Sequence, residues 1–424
     1  MNPRRLFIEH LSKGALGLSV IPLTLTSEAK HFPYKEHFSI QDDEQYWKIL
    51  RRSFPLKHHR IYFNNGTFGP SPKEVVQRIS NTLLQSNETG NYGHTNHSRE
   101  ILADLVKVSP KEISLTHNTT EGINVVCWGL PLKAGDEVII TYQEHVGNAL
   151  PWINRAKLDG IVLKPFEPGK SATENIDKIK QLIGPKTRVI AIPHITTTTG
   201  LVFPIKEISQ LAKKHDIYTA IDGAHGVGTF DLDLKVLGCD FYATSCHKWL
   251  LGPNGTGFLY INGNRLEEVQ AYQVGAYSDT GWDMYAKPPQ LKGYVPTAHR
   301  FDYGSQSAPL YEGAAAAAEF HKKIGQQKIE KRIGFLSNYL FEGLQESGSK
   351  IQLLTPEEKI SRINMVTFKP KNLDYKIFNQ KAIEAGFRLR VVPESGLDAI
   401  RGSTHIYNSP EEIDKFLKFV RSVT

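Results

Sequence analysis

Lys248 lies in the run Ser245-Cys246-His247-Lys248-Trp249-Leu250-Leu251-Gly252-Pro253, twenty-six residues after Asp222 of Ile221-Asp222-Gly223-Ala224-His225. An acid that closes a hydrophobic strand, followed by a Ser-x-His-Lys quartet, supplies two groups that pyridoxal 5'-phosphate (PLP) chemistry requires. The lysine amine condenses with the cofactor aldehyde as a Schiff base. The carboxylate pairs with the pyridine nitrogen and keeps the ring electron-poor. An isolated lysine is ordinarily surface; these neighbours change the reading. Upstream, Thr116-His117-Asn118-Thr119-Thr120-Glu121-Gly122 opens a helix running to Leu130. Hydroxyls at a helix start favour an anion, although the same pattern also serves as an ordinary N-cap. His145, in Glu144-His145-Val146-Gly147-Asn148, follows a strand and is placed to stack on a flat cofactor.

These groups need a rigid frame. Val138 to Thr141, Val189 to Ile192, Thr219 to Asp222, Phe241 to Thr244 and Gly257 to Tyr260 read as short buried strands. Stretches such as 204–215 repeat apolar residues at three- and four-residue steps, the helical period. Hydrophobic strands alternating with helices predict a mostly parallel α/β sheet covered on both faces. Functional groups then gather at the strand ends. After Tyr311 a strong helix begins around Ala314 to Ala318. A smaller α+β domain follows, with strands expected at Met365 to Phe368 and Thr404 to Tyr407. Residues 276–298 read as a long loop, in which Tyr277, Trp282 and Tyr285 fit either a lid from a partner subunit or simple anchors.

Hydrophobic content of 40% and charged content of 22% over 424 residues are ordinary for a globular chain with ample core. The net charge is +7, but the basic residues are scattered, which argues against a nucleic-acid partner. Cys127, Cys239 and Cys246 have no metal-ligand spacing, and no histidine pair forms H-x-x-x-H beside an acid, so no metal is expected. The N-terminus differs from the rest. Arg4-Arg5, an apolar run from Gly14 to Leu25 and Ser27-Glu28-Ala29 read as a twin-arginine export signal over residues 1–29. The run is too short to span a membrane, and none is expected in the mature chain. That route exports folded proteins, so a periplasmic location with PLP already loaded follows; without a working leader the location is cytoplasmic. The rest divides into an N-terminal arm (30–75), a large PLP-binding domain (76–305) and a small C-terminal domain (306–424).

Together these motifs resemble the class V aminotransferase family of PLP fold type I, which includes cysteine desulfurases, kynureninase and isopenicillin N epimerase. The resemblance extends over about residues 60–420. It implies a large domain with a mostly parallel seven-stranded sheet between helices, plus the smaller domain. It also implies roles: Lys248 for the Schiff base, Asp222 for the pyridine nitrogen and His145 for ring stacking. Thr119, Thr120, Ser245 and His247 match phosphate contacts. His225 stands where desulfurases have glutamine, and Thr197 where they have an asparagine near the phenolic oxygen. Arg401 matches the arginine that takes the substrate carboxylate by a bidentate pair. Asn65 and Phe68 line the site beside it, and Arg390 is either a second carboxylate contact or a structural ion pair. Gly304-Ser305 matches the segment that reaches the neighbouring subunit's cofactor phosphate, which implies a homodimer with shared active sites.

Departures narrow the choice. Desulfurases carry a nucleophilic cysteine shortly before the carboxylate arginine; Arg390 to Gly396 contains none, which disfavours persulfide chemistry on the protein. His194 to Leu201 and Tyr62 to Pro70 are closer to the isopenicillin N epimerase branch. The resemblance therefore implies an amino-acid-like substrate and, first, transamination, with epimerisation or racemisation and C–S lysis as alternatives. All begin with removal of the α-proton, for which Lys248 is the natural base. A relative that kept only the fold, as a binding protein, would be expected to lose Lys248 or Asp222, and both are present.

Overall fold

In the computed structural model, which describes residues 40–424, seven strands form the central sheet. They are β1 (Ile113–Thr116), β2 (Glu137–Thr141), β3 (Val162–Phe166), β4 (Thr187–Pro193), β5 (Tyr218–Asp222), β6 (Phe241–Ser245) and β7 (Gly257–Ile261). The spatial order is β1-β7-β6-β5-β4-β2-β3. Strands β2 to β6 pair in parallel, and β7 runs antiparallel to both β6 and β1. The expected export signal, and residues 30–39 of the expected arm, lie outside the described residues.

Strand burial explains why the sheet is internal. Ile139, Ile190, Ile192, Ile221 and Tyr242 enter one apolar layer, and Val138, Ile140, Val189, Ala191 and Ala220 the opposite one. Neighbouring residues thus point to opposite faces with the period of a strand, and both faces are apolar. One layer is closed by the helices Asn96–Leu105, Ile205–Lys214 and Ala308–Ile324, the other by Thr119–Gly129 and Val146–Asp159. The Ala308–Ile324 helix packs Ala314, Ala316, Ala317 and Ala318 into the large-domain core. A boundary after residue 305 would have assigned it to the small domain. Small side chains there allow close approach to the Lys73–Thr89 and Asn96–Leu105 helices.

The small domain is a four-stranded antiparallel sheet of β8 (Ile351–Leu353), β9 (Met365–Pro370), β10 (Arg390–Val392) and β11 (Ala399–Ser403), in the order β8-β9-β11-β10. Its outer face carries the helices Gln326–Gln345, Tyr375–Glu384 and Pro410–Val423. Ile61–Tyr62 pairs in parallel with Phe387–Arg388, so this part of the arm belongs structurally with the small domain. The strand expected at Thr404 to Tyr407 is instead β11, ending at Ser403; residues 404–407 form a turn. Residues 276–298 are not a bare loop either, because Asp279–Asp283 and Gln290–Tyr294 pair as an antiparallel hairpin. Among the described residues, no helix is long and apolar enough to cross a membrane.

Candidate active site

Strand β5 delivers Asp222 at its carboxyl end, where the side chain is 5% exposed and Oδ1 accepts from the Ala224 amide at 2.9 Å. Strand β6 delivers Ser245, and the chain turns at once into Lys248. That turn is held by close backbone approach: the Gly69 amide donates to the His247 carbonyl at 2.7 Å. A Cβ on Gly69 would sit 1.9 Å from the Lys248 carbonyl oxygen, so only glycine fits. The Lys248 amine is 3.5 Å from His225 Nε2. Burial pushes the Lys248 pKa down to about 8, against the pull of Asp222 and helped by the positive charges of Arg401 and Arg390. A lysine in that range is available as a neutral amine near physiological pH, as a Schiff-base former or general base must be.

The helix Thr119–Gly129 points its amino end at the same place. Asn118 caps it through its side chain, and Ser245 Oγ accepts from the Thr119 amide at 2.9 Å and lies 2.7 Å from the Thr119 hydroxyl. The Thr120 hydroxyl sits against Gly147, at the start of the helix Val146–Asp159. Two helix starts therefore converge with Ser245, an arrangement of donors and dipoles suited to phosphate. His247 Nδ1 is buried without a hydrogen-bond partner among the described residues. Burial, then Lys248, holds that ring down to about 4, so it is neutral. His145 is the N-cap of the second helix, its Nδ1 accepting from the Gly147 amide at 3.0 Å. This leaves its exposed ring at the rim of the site.

The small domain contributes Arg401 from β11. Ile400 enters the outer apolar core of that domain. Strand alternation sends Arg401 the other way, toward the large domain. Its guanidinium donates to the Thr197 carbonyl at 2.6 Å, the Thr197 hydroxyl at 2.9 Å and the Thr67 hydroxyl at 3.1 Å. The side chain is 1% exposed, Nε has no partner, and no carboxylate pairs with it among the described residues. Burial pushes its pKa down to about 9, with Arg390 adding to the shift. A buried guanidinium left without an anion is costly, which marks the place for one.

Not every expected residue takes its expected role. Asn65 is fully buried; its Oδ1 accepts from the Tyr407 hydroxyl at 3.0 Å and its Nδ2 faces the Lys248 carbonyl at 3.5 Å. Its amide therefore braces the lysine turn rather than facing substrate. Arg390 forms an ion pair with Glu394, four residues further on, and its charge also acts on Lys248 and Arg401. Ser305 is exposed on a loop, and its expected role lies in the neighbouring subunit's site rather than in its own. Phe68 lies against His247, ring centroids 6.4 Å apart.

Sequence reasoning missed Gln143 and Glu144. Gln143 accepts from the Thr198 and Thr199 hydroxyls at 3.0 and 3.1 Å and fixes the turn bearing Thr197. Glu144 accepts from the Thr141 hydroxyl at 2.9 Å and the Asn148 amide at 2.8 Å. Burial, then the Asp222 carboxylate, raises its pKa to about 8. All three thiols are buried, and burial pushes those of Cys127 and Cys246 up to about 12 and that of Cys239 up as well. None is a ready nucleophile.

The family model Aminotransferase class-V matches residues 61–416. The chain belongs to the class V aminotransferase family. As a class V chain of PLP fold type I it is PLP-dependent, and the residues fit that cofactor on their own evidence. The convergent helix starts with Ser245 suit its phosphate, His247 Nδ1 is left without a hydrogen-bond partner among the described residues, Asp222 suits its pyridine nitrogen, and the Lys248 amine, its pKa lowered to about 8, suits its aldehyde. This class V chain is 29% identical to a probable cysteine desulfurase of Pyrococcus abyssi over 399 residues, covering 87% of this chain and 95% of the relative. It is 28% identical to isopenicillin N epimerase of Streptomyces clavuligerus over 400 residues, covering 89% and 98%. Among solved structures, the cystine C–S lyase in complex with its product cysteine persulfide is 29% identical with a TM-score of 0.78, covering 87% of this chain and 99% of that one. The apo cysteine desulfurase of Thermococcus onnurineus is 25% identical with a TM-score of 0.81, covering 92% and 99%.

Proposed function

We propose that this PLP enzyme cleaves a C–S bond at Cβ of an amino acid by elimination, without a cysteine nucleophile. The carrying observation is Arg401: a buried guanidinium held by Thr197 and Thr67, with no carboxylate of its own, beside a lysine whose pKa is lowered to about 8. That pair suits an α-amino carboxylate. Arg401 fixes the carboxylate, and Lys248, freed by the incoming amine, removes the α-proton. Bound PLP supplies the sink for the electron pair left on Cα. Proton removal by Lys248 would thus allow the sulfur substituent to leave from Cβ with the C–S bonding pair. With cystine the balance is one water consumed, and cysteine persulfide, pyruvate and ammonia formed. Two facts support elimination over transfer of sulfur to the protein: the loop 393–398 has Ser395 and no cysteine, and the three thiols are buried. Similarity to a cystine C–S lyase supports it further.

Epimerisation at Cα is the second reading, favoured by the similarity to isopenicillin N epimerase over 89% of this chain. Transamination, expected from sequence alone, has no such support among these relatives. A homodimer remains part of the proposal, supported by the Gly304-Ser305 segment, where Ser305 is exposed, as does export by the N-terminal leader. Purified holoenzyme offered cystine, cysteine and a panel of L- and D-amino acids decides among the reactions. Pyruvate with persulfide supports elimination; keto acid with loss of the cofactor's visible band indicates transamination instead. Solvent deuterium entering Cα with inversion and no pyruvate indicates the epimerase.

A further inference from the structure

Trp249 is held on two sides, its backbone carbonyl facing a histidine of the small domain and its indole facing His225, beside Lys248. The Ile406 amide donates to His405 Nδ1 at 2.8 Å. His405 Nε2 lies 3.0 Å from the Trp249 carbonyl. The Trp249 indole Nε1 donates to His225 Nδ1 at 3.0 Å, and His225 Nε2 lies 3.5 Å from the Lys248 amine. The protons at these contacts have one consistent arrangement. A backbone N–H and an indole N–H only donate, and a carbonyl only accepts. His405 must therefore carry its proton on Nε2. His225, its Nδ1 lone pair already taken, must carry its own on Nε2 too.

These contacts are rigid. Trp249 and His405 are fully buried and stacked, centroids 5.6 Å apart at 24°, and His405 stacks in turn on Tyr407. The His225 backbone is pinned by Thr229 and Asn364, which both donate to its carbonyl. The charged and titratable groups acting on the His225 ring are Lys248, Arg401, His145 and Arg390, all disfavouring a second proton, and burial works in the same direction.

We infer that Trp249 is a positioning residue: its indole N–H fixes His225 as the neutral Nε2–H tautomer, so the site always offers PLP a donor and never an acceptor beside the Lys248 amine. The natural recipient is the cofactor's phenolic oxygen, the neighbour of the aldehyde that Lys248 attacks. Glutamine in that place offers an amide end that turns either way. Histidine gives a fixed polarity only if its other nitrogen is tied, and Trp249 ties it. The inference depends on PLP as cofactor and on none of the reactions proposed above.

The test is nitrogen-15 NMR of histidine-labelled protein, apo and PLP-loaded, with His225 assigned by its loss in His225→Gln. The expected result is Nδ1 bare and Nε2 protonated in both forms, unchanged from about pH 6 to 9. In Trp249→Phe the two nitrogens should move toward averaged shifts. The pH midpoint of the visible absorbance of PLP-loaded protein should rise by about one unit, because a donor at that oxygen favours the more negative form. Adding His225→Gln to Trp249→Phe should bring the midpoint back, since an amide donates without a tautomer. A protonated Nδ1 in the unmodified protein overturns the inference whether or not the variants fold. So does a Trp249→Phe protein whose tautomer and midpoint are both unchanged.

Discussion

Replacing Arg401 should separate binding from stability, and by amounts that follow from its surroundings. Arg401 is 1% exposed, and its pKa falls from 12.5 to about 9, mainly through burial. A guanidinium does not give up its proton in a protein, so the fold bears that cost, about 5 kcal/mol as an upper bound. Three hydrogen bonds to Thr197 and Thr67 return roughly 1 kcal/mol each. Arg401→Met removes the charge and keeps much of the volume. Its expected effect on folding is between nothing and a gain of about 2 kcal/mol, a rise in Tm of a few degrees at most. The substrate carboxylate, by contrast, loses a bidentate charged partner, which costs about 2–5 kcal/mol, or roughly 30- to 5,000-fold in kcat/KM. Arg401→Lys keeps the charge without the planar fork and should fall between the two. Calorimetry of the apo proteins and steady-state kinetics of the loaded ones are the assays. A large fall in Tm with unchanged kcat/KM would refute the reasoning, because Arg401 would then be a structural residue already paired in the fold.

Loading of apo protein with PLP should quicken about tenfold per pH unit below about 8 and level off above, because only the neutral Lys248 amine attacks an aldehyde and its pKa lies near 8; a flat rate between pH 6 and 9, followed by absorbance, would contradict the lowered pKa. Ser245→Ala removes the oxygen that holds the Thr119 amide and hydroxyl, and PLP affinity by fluorescence titration should weaken roughly 10- to 100-fold. Changing Cys127, Cys239 and Cys246 together to alanine should leave turnover within about threefold while costing about 1 kcal/mol of stability per site; loss of turnover in a folded triple variant would restore the thiol mechanism. Glu144 has a folded pKa near 8, above its unfolded value, so the stability it contributes is present below about pH 4.5 and lost as pH rises through 8. Glu144→Gln should flatten that slope in pH-dependent melting, and an unchanged slope would place the carboxyl's titration elsewhere.

Much of the frame was legible because its cause is local. Strands that are apolar on both faces, such as Val189 to Ile192, declare a doubly covered sheet, and five of the seven central strands were readable that way. Strand β3 was not: Lys164 and Pro165 interrupt its apolar character, and it lies at the sheet edge, where one side goes unpaired. The chemistry-bearing run around Lys248 and the acid at Asp222 were equally plain, since Asp222 closes its strand and Lys248 follows its own by three residues. Roles that depend on distant partners were hidden. Nothing near Asn65 announces Tyr407, 342 residues away, and Arg390 shows its ion pair only once β10 and the turn carrying Glu394 are folded. Thr404 to Tyr407 looked like a strand because alternation of apolar and polar residues also describes a buried turn whose histidine is committed to a backbone carbonyl.

The distribution of buried polar groups explains why the site sits where two domains meet. Asp222, Ser245 and Lys248 come from ends of the large-domain sheet, whose strands are already saturated with backbone hydrogen bonds and apolar neighbours. Arg401 comes from a strand whose other face is the core of the small domain. Neither domain alone shields or satisfies it; its donors end on Thr197 of one domain and on Thr67 of the arm. The arm is stapled to the small domain through Ile61–Tyr62 and to the lysine turn through Gly69. Any shift of the small domain would therefore move the carboxylate arginine and, through His405 and Trp249, the ring of His225 together. On the roles proposed above, the carboxylate contact of Arg401 and the setting of His225 would both depend on one segment, residues 399–408.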